Sequence, residues 1–270
     1  MASRKSGQNP RAAARKPPSV RARNAPRPRQ ASRRGLAVAG GIVLVLAAFV
    51  AVVAANRGNS SPIGPLPTKG SLVNALPGAG AVGSLFKNIP QQGLRLGSPS
   101  APVTLVEYID LQCPYCRAFE TQVMPQIVQR YVRTGKVKIE ARVLAFIGPD
   151  SSRGRDAMIA AGDRGKAFDF AQILYDNQQV ENTGWLSDRM VARAAESIPG
   201  VNPRRLFTER TSPAVKREAA AIDQEGSAAD VNATPTLFVG RSGTTPTVVP
   251  LRSPTDAGTL VAALNAALAR

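Results

Sequence analysis

The stretch Glu107–Cys116, EYIDLQCPYC, runs from an apolar alternation straight into two cysteines separated by two residues. Working back from it, Ala101–Leu111 (APVTLVEYIDL) reads as a strand. Val103, Leu105, Ile109 and Leu111 fall on one face, and Val106 and Tyr108 on the other. A strand apolar on both faces belongs in the middle of a sheet that is covered on both sides. Working forward, Pro114–Arg133 reads as a helix bent at Pro125, because an internal proline removes a backbone hydrogen bond. Val137–Ile147 alternates again, with Val137, Ile139, Ala141, Val143, Ala145 and Ile147 on one face. Strand, helix and strand over this length predict a parallel crossover unit, and so an α/β fold.

Beyond residue 150 the period of two is lost. Ala167, Phe170, Ala171, Leu174 and Tyr175 recur at helical spacing, as do Leu186, Met190 and Ala194, and Pro213–Ala229 is a further helical segment. Residues 150–229 are therefore expected to be all-helical. Thr236–Gly240 reads as a short strand, Arg241-Ser242-Gly243 as a turn and Thr247–Leu251 as the returning strand. A last helix carries Leu260, Leu264 and Leu268 as its apolar stripe, with Ser253 expected as its cap and Pro254 at its first position.

Cys113 stands where the first strand gives way to its helix. The first amide groups of a helix lack internal partners and carry partial positive charge, and both properties stabilise a thiolate. A free thiol has a pKa of about 8.5, and in a CxxC pair at a helix start it falls to about 3.5–7.5. Cys116, one turn further in, is expected to be more buried, so the pair divides into an attacking and a resolving thiol. Pro114 fixes the turn. A purely stabilising disulfide is the competing reading, but closing a loop of four residues contributes roughly 2 kcal/mol. A zinc site would need four ligands, and the chain offers two thiols and no histidine. The absence of histidine also excludes His-based triads and general bases. No metal and no cofactor is expected.

Two acids stand near the pair. Glu107 falls in register with Val103, Leu105 and Ile109, where a carboxyl is poorly solvated and its pKa rises. It is then placed to relay the proton of Cys116; the alternative is an edge residue reaching water. Glu120, four residues after Cys116, shares its helix face and reads either as a second acid at the site or as a solvated residue. Ala233-Thr234-Pro235-Thr236 precedes a strand. A proline there can simply mark the boundary. Together with an upstream CxxC, it points to a cis-proline loop packed on the sulfurs and open to an extended peptide.

The chain has 270 residues and a net charge of +17, unevenly placed. Residues 1–34 hold eleven Lys or Arg and no acid, which leaves +6 for the other 236. This segment is expected to be a disordered cytoplasmic tail. Its charge is read as a topological signal, and no nucleic-acid partner is expected. Residues 35–55 (GLAVAGGIVLVLAAFVAVVAA) carry no charge and are long enough to cross a bilayer as a helix. Arg33 and Arg34 before it place the tail inside and the remainder outside. A cleavable signal peptide is the alternative, but its apolar core is usually about 7–15 residues. Residues 56–95, dense in Gly, Pro, Ser and Asn, read as a flexible linker, and 96–270 as the folded domain. The expected location is the cell membrane, single-pass, with the folded domain outside, where disulfide chemistry is permitted.

The run Glu107–Cys116, the helical block between the two strand-rich halves, and Thr234-Pro235-Thr236 together resemble the DsbA-like branch of the thioredoxin superfamily. The resemblance covers about residues 96–270. It implies a thioredoxin-like fold with a helical insertion and a disulfide oxidoreductase acting on exported proteins. By position, Cys113 matches the family's nucleophile, Cys116 its resolving thiol, Pro235 the cis-proline and Thr234 the residue before it. Glu107 and Glu120 match positions where members carry acids. One departure is Tyr115, since the strongest oxidants of the family carry a histidine between the cysteines. A phenol cannot stabilise the thiolate as an imidazolium does, so oxidase and reductase directions both stay open. An oxidase would need reoxidation by a membrane partner of the DsbB or VKOR type. A reading of another class is an anchored peptide-binding or assembly factor.

Overall fold

The computed structural model describes residues 63–270. The expected tail, the apolar segment 35–55 and the start of the expected linker lie outside the described residues. No helix among those described is long and apolar enough to cross a membrane.

The elements in chain order are α1 (Ala79–Phe86), β1 (Gln91–Gln92), β2 (Arg95–Leu96), β3 (Val103–Ile109), α2 (Pro114–Gln122), α3 (Met124–Ile127), a π-helical turn (Val128–Val132) and β4 (Val137–Val143). Then come α4 (Pro149–Gly162), α5 (Ala167–Asp176), α6 (Asp188–Glu196), α7 (Pro203–Glu209), α8 (Pro213–Ala228), β5 (Thr236–Arg241), β6 (Thr247–Val248) and α9 (Ala257–Leu268). The strands form one sheet in the order β1-β2-β4-β3-β5-β6. β3 and β4 run parallel from Val103 opposite Val137 to Ile109 opposite Val143. β5 lies antiparallel on the other side of β3, with Leu237 opposite Glu107.

The alternation in β3 places its residues as the sequence predicts. Val103, Leu105, Glu107 and Ile109 are buried on one face. α9 packs on this face, tied to the π-helical turn by the Tyr131 hydroxyl, which donates to Asn265 at 2.9 Å. On the other face Tyr108 meets Phe238 edge-on, with ring centroids 5.7 Å apart, and Gly226 of α8 lies against it. Val106 on that face is only half-buried, so α8 covers just part of it.

Several expectations are corrected. Within the linker read over 56–95, the chain is hydrogen-bonded to the domain at Pro67 and buried at Gly70, so the folded unit begins well before residue 96. Ala79, Val82 and Phe86 of α1 are buried, and Phe86 meets Phe168 of α5 edge-on at 6.3 Å. Further upstream, Gly70 donates from its amide to the Val201 carbonyl and Ser71 to that of Glu196. A side chain at Gly70 would collide with the Ile198 carbonyl, so glycine permits this close approach. The helix read as Pro114–Arg133 is interrupted, not merely bent. α2 ends at Gln122, and α3 restarts with Pro125 in its first turn, where the missing amide costs nothing. The last helix starts at Ala257, and the cap is Asp256, whose side chain accepts from the Thr259 amide at 3.1 Å, not Ser253. The returning strand is confined to Thr247–Val248.

Candidate active site

Cys113 is the N-cap of α2, with φ −69° and ψ 120°, and Pro114 opens the first turn. Its sulfur accepts from the Cys116 amide at 3.5 Å. The Thr234–Pro235 peptide bond is cis. This brings the Thr234 carbonyl 3.2 Å from Cys113 Sγ, which donates to it in the thiol form. Sequence positions 121 residues apart thus meet at one sulfur. Both cysteines are free thiols here. Tyr115 stands 63% exposed beside them, and Pro114 is also exposed.

The two thiols have opposite acidities. The Cys113 thiol is lowered to about 6. The largest contribution is the hydrogen bond from the Cys116 side chain, followed by that from the Thr234 side chain and the amides of Cys116 and Tyr115, against the opposing effect of burial. Cys116 is fully buried, and burial pushes its thiol well up, reinforced by its donation to Cys113 and by the charge on that thiolate.

The strand before the thiols and the helix that carries them also hold a buried acidic pair. Glu107 on β3 and Glu120 on α2 are both buried. One carboxyl oxygen of each has no hydrogen-bond partner. Burial raises Glu107 to about 8. Burial, then the charge of Glu107, raises Glu120 well above the carboxylate range. An unpaired ionised carboxylate in such a place is strongly disfavoured, so burial favours the neutral form of both. The phenol of Tyr175 is itself fully buried, which raises its pKa well above the usual value, and it donates to the Asp110 carbonyl at 3.3 Å.

A second set of residues, not singled out by the sequence, holds the loop between β3 and α2. The Asp110 carboxylate is buried and accepts four hydrogen bonds. They come from the Gln112 amide (2.8 Å), the Ser151 hydroxyl (2.7 Å) and the amides of Phe146 (2.8 Å) and Ile147 (3.1 Å). Gln112, also buried, donates to Ser151 and accepts from the Asn182 amide. The one sequence signal for Asp110 is an acid in an otherwise apolar strand end.

The family model described as thioredoxin matches residues 90–247, more than half of the chain and all of the site above. The chain belongs to the thioredoxin family, and to its DsbA-like oxidoreductases. A probable disulfide bond formation protein D of Bacillus cereus is 28% identical over 158 residues, 57% of this chain and 72% of that protein. Disulfide bond formation protein D of Bacillus subtilis is 26% identical over 149 residues, 53% of this chain and 66% of that one. Among solved thioredoxin-like structures, oxidised BdbD from Bacillus subtilis superposes with a TM-score of 0.59 at 21% identity, covering 67% of this chain and 98% of that one. Wolbachia pipientis alpha-DsbA1 gives 0.55 at 17% identity, covering 68% and 92%. These structures support the fold: a thioredoxin-like sheet with helices α4 to α8 inserted between its two halves. The protein is accordingly a protein disulfide oxidoreductase.

Proposed function

We propose that the protein donates its disulfide to exported proteins, with Cys113 as the sulfur that substrates attack and Cys116 as the resolving sulfur. A substrate thiolate adds to Cys113 Sγ of the Cys113–Cys116 disulfide. The S–S bond breaks, and its electron pair leaves on Cys116. Cys116 takes up a proton, for which the neutral Glu107 carboxyl is the donor, with Glu120 beside it. A second substrate thiolate then attacks the substrate sulfur of the mixed disulfide, and Cys113 leaves as a thiolate. The substrate is oxidised by two electrons and the cysteine pair is reduced by two. A thiol of lower pKa is the better leaving group, which suits Cys113 to this last step.

The observation that favours this direction is the place of Cys113 as the N-cap of α2, where its sulfur accepts from the Cys116 amide at 3.5 Å, in keeping with its lowered thiol. A thiol at about 6 instead of 9.0 favours the reduced protein over an unperturbed pair by about 1.4 kcal/mol at pH 7. This makes the disulfide more oxidising by about 30 mV. The gain comes from hydrogen bonds and needs no histidine between the cysteines. Thr234 and Pro235 form the loop on which an extended substrate lies beside Cys113. Tyr115, exposed, is a contact for that substrate and not a charge donor.

The two Bacillus proteins named for disulfide bond formation support this direction. In this reading residues 1–34 stay in the cytoplasm and residues 35–55 anchor the chain. The domain works outside, and a quinone-linked membrane protein of the DsbB or VKOR type reoxidises it. The test is the reduction potential, measured by equilibration with glutathione. An oxidase is expected near −120 to −180 mV, and a value near −270 mV would make it a reductase. Cys113→Ser is expected to abolish oxidation of a reduced substrate. A double Cys→Ser variant that still complements a deletion strain would instead indicate a binding factor.

A further inference from the structure

Three of the four carbonyl groups of residues 110–113 are held by one segment of the helical insertion. The Tyr175 hydroxyl donates to the Asp110 carbonyl at 3.3 Å. Gln178 Nε2 donates to the Leu111 carbonyl at 2.9 Å and to the Cys113 carbonyl at 3.2 Å. In return, Arg117 Nε on α2 donates to the Tyr175 carbonyl at 3.1 Å. The Cys113 carbonyl already accepts the first helical bond of α2, from the Arg117 amide at 3.0 Å. Among the described residues no other protein donor reaches the Leu111 carbonyl, which lies in a fully buried residue.

We propose that Gln178 is a positioning residue for the Cys113 thiolate: its single amide group spans the loop and fixes the Leu111–Gln112 and Cys113–Pro114 peptide planes, and with them the place of Cys113 Sγ against the Cys116 amide. The proposal rests on Cys113 being the reactive sulfur. Its physical basis is that hydrogen bonds, and no charged side chain, acidify Cys113. The nearby charges are engaged elsewhere. Asp110 is saturated by four donors, and Arg117 Nε is turned to the Tyr175 carbonyl. Hydrogen bonds weaken steeply once the donor angle falls toward about 120°, so a thiolate held by donors depends on how firmly the sulfur is placed against them. Gln178 places the sulfur from both sides, through the Leu111 carbonyl before Cys113 and through the N-cap carbonyl itself. Releasing either end lets the loop turn and the sulfur leave its place against those donors. The insertion would then contribute to redox chemistry as well as to packing.

The test uses the full-length reduced protein in detergent, with Gln178→Met, which keeps the length and removes both donors, and Gln178→Asn, which keeps the amide but cannot span both carbonyls. Thiolate absorbance is followed against pH, and each variant is equilibrated with glutathione. Gln178→Met is expected to raise the Cys113 midpoint by about one pH unit. At pH 8 it shifts the equilibrium about tenfold toward the disulfide, with Gln178→Asn between it and the parent. Midpoints within twofold of the parent in proton concentration, accompanied by lost thermal stability, would overturn the proposal and leave Gln178 a structural residue. If Gln178→Met fails to fold, Gln178→Asn decides by the same readout. A parent protein with no Cys113-dependent titration below pH 8 would instead refute the reading of Cys113 itself.

Discussion

The two ends of the first turn of α2 carry the same functional group and treat it in opposite ways. At the N-cap, Cys113 receives donors from the Cys116 side chain, Thr234 and two amides, and its thiol falls to about 6. One turn deeper, Cys116 is fully buried, and burial raises its thiol. Both sulfurs are largely removed from water, so burial alone does not set acidity. Donors pointing at a buried anion stabilise it, and burial without enough of them favours the neutral form. The contrast divides the labour of disulfide exchange. In the proposed exchange the upper sulfur leaves easily as a thiolate, and the lower one holds its proton.

The deep region should yield the largest effect. Glu107 ionises near 4.5 in the unfolded chain and near 8 in the folded one. The fold therefore favours the protonated carboxyl. Its contribution to stability is complete below pH 4.5 and is lost as pH rises through 8. A shift of that size corresponds to several kcal/mol across the window. Glu107→Gln cannot ionise and should remove this loss, so its stability relative to the parent should climb between pH 5 and pH 8. Chemical denaturation at a series of pH values checks the slope, and parallel curves would mean that Glu107 is solvated. The same variant tests the proton relay, because the pH profile of thiol exchange should change as well.

The upper region is tested next through the link between the two sulfurs. The Cys116 side chain is the largest influence lowering Cys113. Cys116→Ala removes that donor and should move the Cys113 midpoint from about 6 toward 7, about 1.4 kcal/mol. Cys116→Ser keeps a donor and should move it less. Thiolate absorbance against pH reads both. Midpoints unmoved from the parent in both variants would assign the acidity to Thr234 and the amides. Between the regions stands Tyr175, whose hydroxyl holds the Asp110 carbonyl. Tyr175→Phe leaves the ring packed and should cost about 1 kcal/mol of stability by denaturant titration.

The upper region was also the legible one. Apolar alternation into CPYC marks a strand-to-helix junction, because local spacing alone fixes where a helix start places its first thiol. The helical spacing of Ala79, Val82 and Phe86 was equally local, but the glycines and prolines around it obscured a helix that the core buries. The deep region depends on tertiary contacts. Glu120 at the fourth position after Cys116 shows its helix face, and only packing decides whether that face is wet or dry. Tyr175 looks like one more member of an apolar stripe, and Gln178 stands outside any pattern. What each does depends on a loop more than 60 residues earlier, and no periodicity records that pairing.

Thr234 offers the finest test of the contrast, because it presents two groups of opposite effect to one sulfur. Its carbonyl accepts from the Cys113 thiol at 3.2 Å and so favours the protonated form. Its side chain lowers the thiol. Thr234→Val deletes the hydroxyl, keeps the β-branched shape and leaves the carbonyl in place. If donors govern the upper region, the Cys113 midpoint should rise by about half a pH unit, roughly 0.7 kcal/mol. Stability of the disulfide form, in which no thiolate exists, should hardly change. A rise in the reduced form with an unaltered oxidised form separates donation to a thiolate from packing. An equal loss in both would show that Thr234 acts through the shape of its loop.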